Sequence, residues 1–227
     1  MQATAALHPH LYDICKLGLY TSITTLFDFE SYNADAVPQS GPFILASNHA
    51  SFLDPPLVGI DLPRRIYFLA RDTLFKGPFA WLLPRIGSAP VARGSSDLKA
   101  IRRTLDLLAE QHGLVLFPEG TRSPDGQLQP AKAGVGMIAC RAAVPVLPCR
   151  VFGSFEALNR KMKYPRAGQR IEVVYGQPLL PTAYDPGAAA GKARFQTAAD
   201  NIMAAITALR PVKLPLPEAS AQPRLSP

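Results

Sequence analysis

Short apolar runs bounded by turn residues alternate along this chain with segments whose apolar residues recur every three or four positions. That alternation predicts strands interleaved with helices. Phe43-Ile44-Leu45-Ala46 follows Gly41-Pro42 and reads as a buried strand, as do Arg65–Ala70, the weaker Ala89–Ala92, Leu114–Phe117, Val144–Val151 and Ile171–Tyr175. Between them the pattern predicts a helix through Phe75 to Leu83. A second is capped by Ser95 or Ser96, with Leu98, Ile101, Leu105 and Leu108 on one side and Gly113 just past its end. A third covers residues 132–143, weakened by Gly134 and Gly136, and a last one covers 191–209 with Phe195, Ile202, Ile206 and Leu209 on its apolar side. Strands alternating with helices give an α/β fold, a mainly parallel or mixed central sheet flanked by helices. In such sheets ligands sit beyond the carboxyl ends of the strands.

The first segment is different. Residues 7–29 are rich in Leu, Ile, Tyr and Phe, but Asp13, Lys16 and Asp28 interrupt them. No uncharged run reaches the roughly 18–20 residues of a spanning helix, and a basic leader with a small-residue cleavage site is missing. Two readings remain, an amphipathic helix in the membrane interface and a helix packed on the protein's own core. The chemistry described below favours the first. The expected organisation is a membrane-associating helix over 1–35, one α/β domain over 36–210, and a loose tail over 211–227 that holds five prolines.

Composition narrows the classes. The 227 residues suffice for one α/β core, and 48% hydrophobic against 18% charged residues excludes a disordered chain. The net charge of +7 favours nucleic acid, anionic headgroups or phosphorylated small substrates. No nucleic-acid motif accompanies that charge, so nucleic acid is not an expected partner. Cys15, Cys140 and Cys149 form neither a disulfide framework nor a metal pair. His8, His10 and His112 lack metal-ligand spacing, so no metal is inferred. The basic cluster Arg160, Lys161, Lys163, Arg166 and Arg170 has two readings, a face for headgroups or an acyl-carrier protein and a solvated loop.

Two polar motifs leave the carboxyl ends of predicted strands: Asn48-His49-Ala50-Ser51-Phe52-Leu53-Asp54 and Phe117-Pro118-Glu119-Gly120-Thr121-Arg122-Ser123. Histidine takes a proton near neutral pH, and a carboxylate on its other nitrogen fixes the tautomer. A five-residue step on a continuous helix turns about 140° away from its start. Asp54, before Pro55-Pro56, instead reads as a helix cap, and a turn brings it to His49. Ser51 lies in no nucleophile elbow, so a hydrogen bond within the turn is its expected role. Arg122 and Arg93 suit bidentate binding of a phosphate, with Lys132 as a further contact. Glu119 would repel a phosphate, so its expected partner is a substrate hydroxyl or an arginine. Gly120 permits close backbone approach. Together these residues describe acyl transfer from a thioester to a phosphate-bearing alcohol, which attacks directly without a protein nucleophile.

These blocks resemble those of the 1-acylglycerol-3-phosphate acyltransferase family, over roughly residues 40–180. The resemblance implies a glycerol-3-phosphate acyltransferase-like fold, with His49 as base, Asp54 as its partner and Asn48 beside the substrate. Gly87–Arg93 is similar to a second block whose arginine contacts the acceptor phosphate, with Pro90 and Ala92 where β-branched or aromatic residues are usual. Phe117–Ser123 matches a third, implying that Glu119, Gly120, Thr121 and Arg122 shape the acceptor site. Lys132-Ala133-Gly134 is similar to a following lysine–glycine element. Val144-Pro145-Val146-Leu147-Pro148 resembles a fourth block, implying Val144, Pro145 and Val146 in an acyl-donor pocket. The family implies acyl-CoA or acyl-carrier protein as donor, with no metal or other cofactor. It implies a lysophospholipid acceptor and phosphatidate as product, made on the cytoplasmic face of the membrane by a peripheral or monotopic enzyme. Acylation of another lysophospholipid or an amino-acid-derived lipid, a thioester hydrolase and a non-catalytic lipid-binding module are the competing readings.

Overall fold

The apolar runs form the centre of one seven-stranded sheet. The computed structural model describes residues 7–77, 80–91 and 98–214. In chain order the elements are α1 (Pro9–Leu26), β1 (Asp28–Tyr32), β2 (Phe43–Ser47), α2 (Asp54–Leu57), β3 (Ile66–Arg71), β4 (Ser88–Val91), α3 (Leu98–Ala109), β5 (Gly113–Leu116), α4 (Ala133–Ala142), β6 (Val146–Phe152), α5 (Ser154–Ala157), β7 (Arg170–Tyr175), α6 (Pro181–Tyr184) and α7 (Arg194–Ala208). The strand order is β1-β7-β6-β2-β5-β3-β4. Every neighbouring pair is parallel except β6 with β7. All five residues of β2 are buried, as expected of a strand covered on both faces.

Each sheet face carries a core. On one side Ile44, Leu114 and Val146 pack with α4 and α7, through Ile138, Ala139, Ile202 and Ile206. On the other, Phe43, Leu45, Leu147 and Ile171 pack with Leu57, Val58 and Ile23. Full burial of side chains of this size stabilises by about 2 kcal/mol each. Gly136 lets α4 meet α7: a β-carbon there would lie 1.9 Å from the Phe195 carbonyl oxygen. The glycine that weakens the helix in isolation is therefore what allows it to pack.

Several sequence expectations are corrected. The N-terminal helix ends at Leu26, and residues 28–32 form β1, paired with β7. The sheet therefore begins before residue 36. The charges of β1 are matched across that edge, where Arg170 pairs with Asp28, Glu30 and Glu172. The expected helix from Phe75 to Leu83 is absent among the described residues. Short 3-10 turns stand at Asp72–Lys76 and Leu83–Ile86, and the sequence Gly77-Pro78 falls inside the expected span, where a proline breaks a helix. The tail is not loose where it starts: Val212, Lys213 and Leu214 donate their backbone N–H groups to the buried Glu172 carboxylate at 2.7–3.2 Å. Burial alone would raise the Glu172 pKa, but these amides and Arg170 outweigh it and hold the group below its ordinary value. Ser95, Ser96 and residues 215–227 lie outside the described residues.

One side of α1 docks on the domain. Tyr12 and Ile23 are buried, Lys16 Nζ donates to the Leu62 carbonyl at 2.6 Å, and Arg65 grips Asp13 through two hydrogen bonds. Ile14 and Leu17 remain 68% and 67% exposed. Among the described residues no helix is long and apolar enough to cross a membrane.

Candidate active site

Register brings the two motifs together. β2 and β5 are parallel neighbours, with Ala46 opposite Leu116, so the chain leaves both strands on the same rim. Two residues beyond β2, His49 is held on both sides of its peptide. Its backbone N–H donates to Glu119 Oε1 at 2.9 Å, and its carbonyl accepts the Ser123 N–H at 2.7 Å. The Phe117 ring stacks on the imidazole at 4.1 Å between centroids.

A turn, not a helix, joins His49 to Asp54. His49 Nδ1 lies 2.9 Å from Asp54 Oδ2, and the same oxygen accepts the N–H groups of Ala50 and Ser51 at 2.6 Å each. An oxygen that already receives two N–H groups is an acceptor, so Nδ1 carries a proton toward it and Nε2 is the nitrogen left for proton exchange with a substrate. Asp54 is fully buried and opens α2, with Pro55 and Pro56 fixing the turn behind it. Its carboxylate reaches back to close the loop instead of capping the amides ahead. Ser51 Oγ donates to the Leu158 carbonyl and accepts the Leu53 N–H, so it serves the turn.

A largely apolar cavity of about 790 Å³ opens at this rim. His49, Gly120, Thr121, Arg122 and Lys132 all line it, and it reaches past β3 and β5 to Ile101 and Thr104 on α3. Gly120 has φ +67°, and a side chain there would meet Lys132 at 3.1 Å. The Arg122 guanidinium carbon lies 3.4 Å over the centre of the exposed Phe52 ring, which also lines the cavity. Stacking of this kind orients a guanidinium fork.

Other expected site residues do other work. Asn48 is tied to β6, donating to the Val151 carbonyl at 3.0 Å and accepting the Val151 N–H at 2.8 Å. With its amide used in this way, it is not part of the cavity lining. Glu119 is also outside the lining and only 2% exposed; its partners are the backbone amides of His49 and Gln129, not an arginine. Burial raises its pKa to about 7, against the lowering effect of those two amides. Val144 and Val146 are buried in the core beside Tyr184, and Pro145 precedes β6 away from the cavity, so this stretch supplies no wall of it. Arg93 lies outside the described residues.

Residues 28–152, more than half of the chain, match the family described as Acyltransferase. The chain belongs to that family. A chloroplast 1-acyl-sn-glycerol-3-phosphate acyltransferase of Brassica napus is 32% identical over 62% of this chain, which spans only 42% of that protein's length. A Bacillus subtilis protein of the same name is 27% identical over 74% of this chain and 82% of its own. The crystal structure of the acyltransferase PlsC from Thermotoga maritima matches with a TM-score of 0.69 over 86% of this chain and 76% of that one. At 22% identity it shows a shared fold.

Two aromatic contacts in this chain escape a reading for chemistry alone. Phe52 and Phe117 carry no reactive group, yet one supports Arg122 and the other His49. Their position inside the two polar motifs was the available signal. Cys140 and Cys149 are buried free thiols, and burial pushes Cys140 up to about 11. Cys15 is a free thiol on the cavity wall.

Proposed function

We propose that this acyltransferase moves a fatty acyl group from acyl-CoA or acyl-carrier protein to the free hydroxyl of 1-acylglycerol 3-phosphate, giving phosphatidate. One observation carries the reading: an oriented His49 shares one apolar cavity with the cationic Arg122 and Lys132. The cations suit the acceptor phosphate and the apolar walls suit acyl chains.

The acceptor hydroxyl donates its proton to His49 Nε2 as its oxygen attacks the thioester carbonyl. Asp54 stabilises the imidazolium that results. The C–S bond of the tetrahedral intermediate then breaks, and the leaving thiolate takes the proton back from His49. Every group this step uses belongs to the chain or to the two substrates, so no metal or other cofactor enters it. The acceptor named by the relatives, 1-acyl-sn-glycerol 3-phosphate, supports this choice over other lysolipids.

The proposal includes peripheral attachment at the cytoplasmic face of the membrane, where lysophospholipid and phosphatidate reside. The exposed apolar residues of α1 support it, with Leu19 on the wall of the cavity.

The test is thiol release from acyl-CoA with and without 1-acylglycerol 3-phosphate. Release that depends on the acceptor supports transfer. Equal release without it would make the protein a thioester hydrolase.

A further inference from the structure

The connection from α5 to β7 carries an unbroken positive charge. Between Glu156 and Glu172 there is no acidic residue, and there are five basic ones. Arg170 is committed to the carboxylates of Asp28, Glu30 and Glu172. Arg160, Lys161, Lys163 and Arg166 are all exposed. Among the described residues no carboxylate lies within ion-pair distance of these four. Tyr164 stands between them, 70% exposed, with Lys163 Nζ 5.4 Å from the centre of its ring.

This loop is a built element with fixed anchors. Its start is held where Ser51 Oγ donates to the Leu158 carbonyl at 2.6 Å, directly behind the His49–Asp54 turn. The Arg160 guanidinium donates to the backbone carbonyl of Arg122, on the cavity rim. Lys161 N–H donates to Asn159 Oδ1, and Arg166 N–H to the Ala157 carbonyl. At its far end the Gly168 N–H donates to the Leu26 carbonyl at 2.7 Å, joining the loop to the last turn of α1. Leu26 is itself 43% exposed. The basic loop therefore runs from the acceptor motif to the end of the helix that carries the exposed Ile14 and Leu17.

We propose that Arg160–Arg166 is a headgroup-binding strip that seats the cavity mouth on a bilayer containing anionic phospholipid. The proposal rests on the membrane attachment put forward above and adds a charge preference to it. Unpaired cations flanking an exposed tyrosine, continuous with an apolar helix, suit the headgroup level of a membrane, where amphipathic rings and long basic side chains both settle. An acidic carrier protein would satisfy the charges but would leave the adjoining apolar residues in water. Each Lys or Arg near an anionic surface contributes about fivefold in binding. Lysophosphatidate and phosphatidate carry the same anionic phosphate, so the strip would attract membrane that holds either.

Sedimentation with vesicles tests this, comparing phosphatidylcholine alone with an equal mixture of phosphatidylcholine and phosphatidylglycerol at low salt. The variant combines Lys161→Gln, Lys163→Gln and Arg166→Gln; Arg160 is left because it touches the acceptor motif. The wild type is expected to prefer the anionic vesicles. The variant should lose about 100-fold in binding to them while binding neutral vesicles as before and melting at the same temperature. An undiminished anionic preference in the variant would overturn the proposal. So would unchanged vesicle binding with turnover lost only for acyl-carrier protein as donor, which would make the strip a carrier dock. A wild type that binds neither vesicle would defeat the membrane reading itself, a result distinguishable from failure of the strip.

Discussion

Glu119 accepts the backbone N–H of His49 at 2.9 Å across 70 positions of sequence. The contact exists because β2 and β5 are adjacent and parallel, so the loops leaving them meet on one rim. With the Ser123 N–H on the His49 carbonyl, the second motif holds the first from both sides of one peptide. A carboxylate that looks like a substrate contact in sequence is thereby a positioning group for the base.

Glu119→Ala should leave the His49 N–H without its acceptor. The expected cost is about 1–3 kcal/mol of stability, measured by urea unfolding. Activity should fall through kcat, with KM for lysophosphatidate little changed, because Glu119 lies outside the cavity lining. A raised KM at unchanged kcat would instead make Glu119 an acceptor contact.

Stability should also carry the mark of Glu119 in its pH dependence. Burial raises its folded-state pKa from 4.5 to about 7. The folded protein therefore holds this proton more tightly than the unfolded chain does. Its contribution is greatest below about pH 4.5 and is lost as pH rises to about 7. Thermal melts between pH 5 and pH 8 should show a decline in the wild type that is shallower in Glu119→Gln. Parallel curves would contradict the assignment.

Asp54→Asn keeps the shape of the turn while removing the charge opposite Nδ1. A wrong tautomer and an unsupported imidazolium should lower kcat by roughly 10⁴-fold, the drop an Asp→Asn change produces in a serine–histidine–aspartate triad. Far-ultraviolet circular dichroism should stay unchanged. A loss below tenfold would mean that the Asp54 contact does not matter to the proton transfer.

Arg122→Lys preserves the positive charge but loses the planar fork that stacks on Phe52. The expected result is a rise of about 10- to 100-fold in KM for lysophosphatidate, with KM for acyl-CoA nearly unaffected. Equal effects on both substrates would place Arg122 elsewhere in the reaction.

Much of this arrangement is legible in the sequence. The runs that become β2 and β5 are apolar at nearly every position because both their faces are covered. The residues leaving their carboxyl ends could then be assigned to one rim. β1 was hidden because the adjacent Glu30 and Ser31 break the polar–apolar alternation that marks a strand, and its charges make sense only beside Arg170. Asn48 and Glu119 announce polar chemistry, but not its direction. Whether an amide meets a substrate or the backbone of β6 depends on a neighbour 103 positions away. Val144 and Val146 are apolar enough for a pocket wall, and only the packing of Tyr184 and α4 assigns them to the core.

The central claim is that His49 drives acyl transfer to a lysophospholipid. The direct measurement is mass-spectrometric detection of phosphatidate from 1-acylglycerol 3-phosphate and a long-chain acyl-CoA, with purified wild type beside His49→Ala. The account predicts product from the wild type and none above background from the variant. Equal product from a folded His49→Ala protein would contradict it.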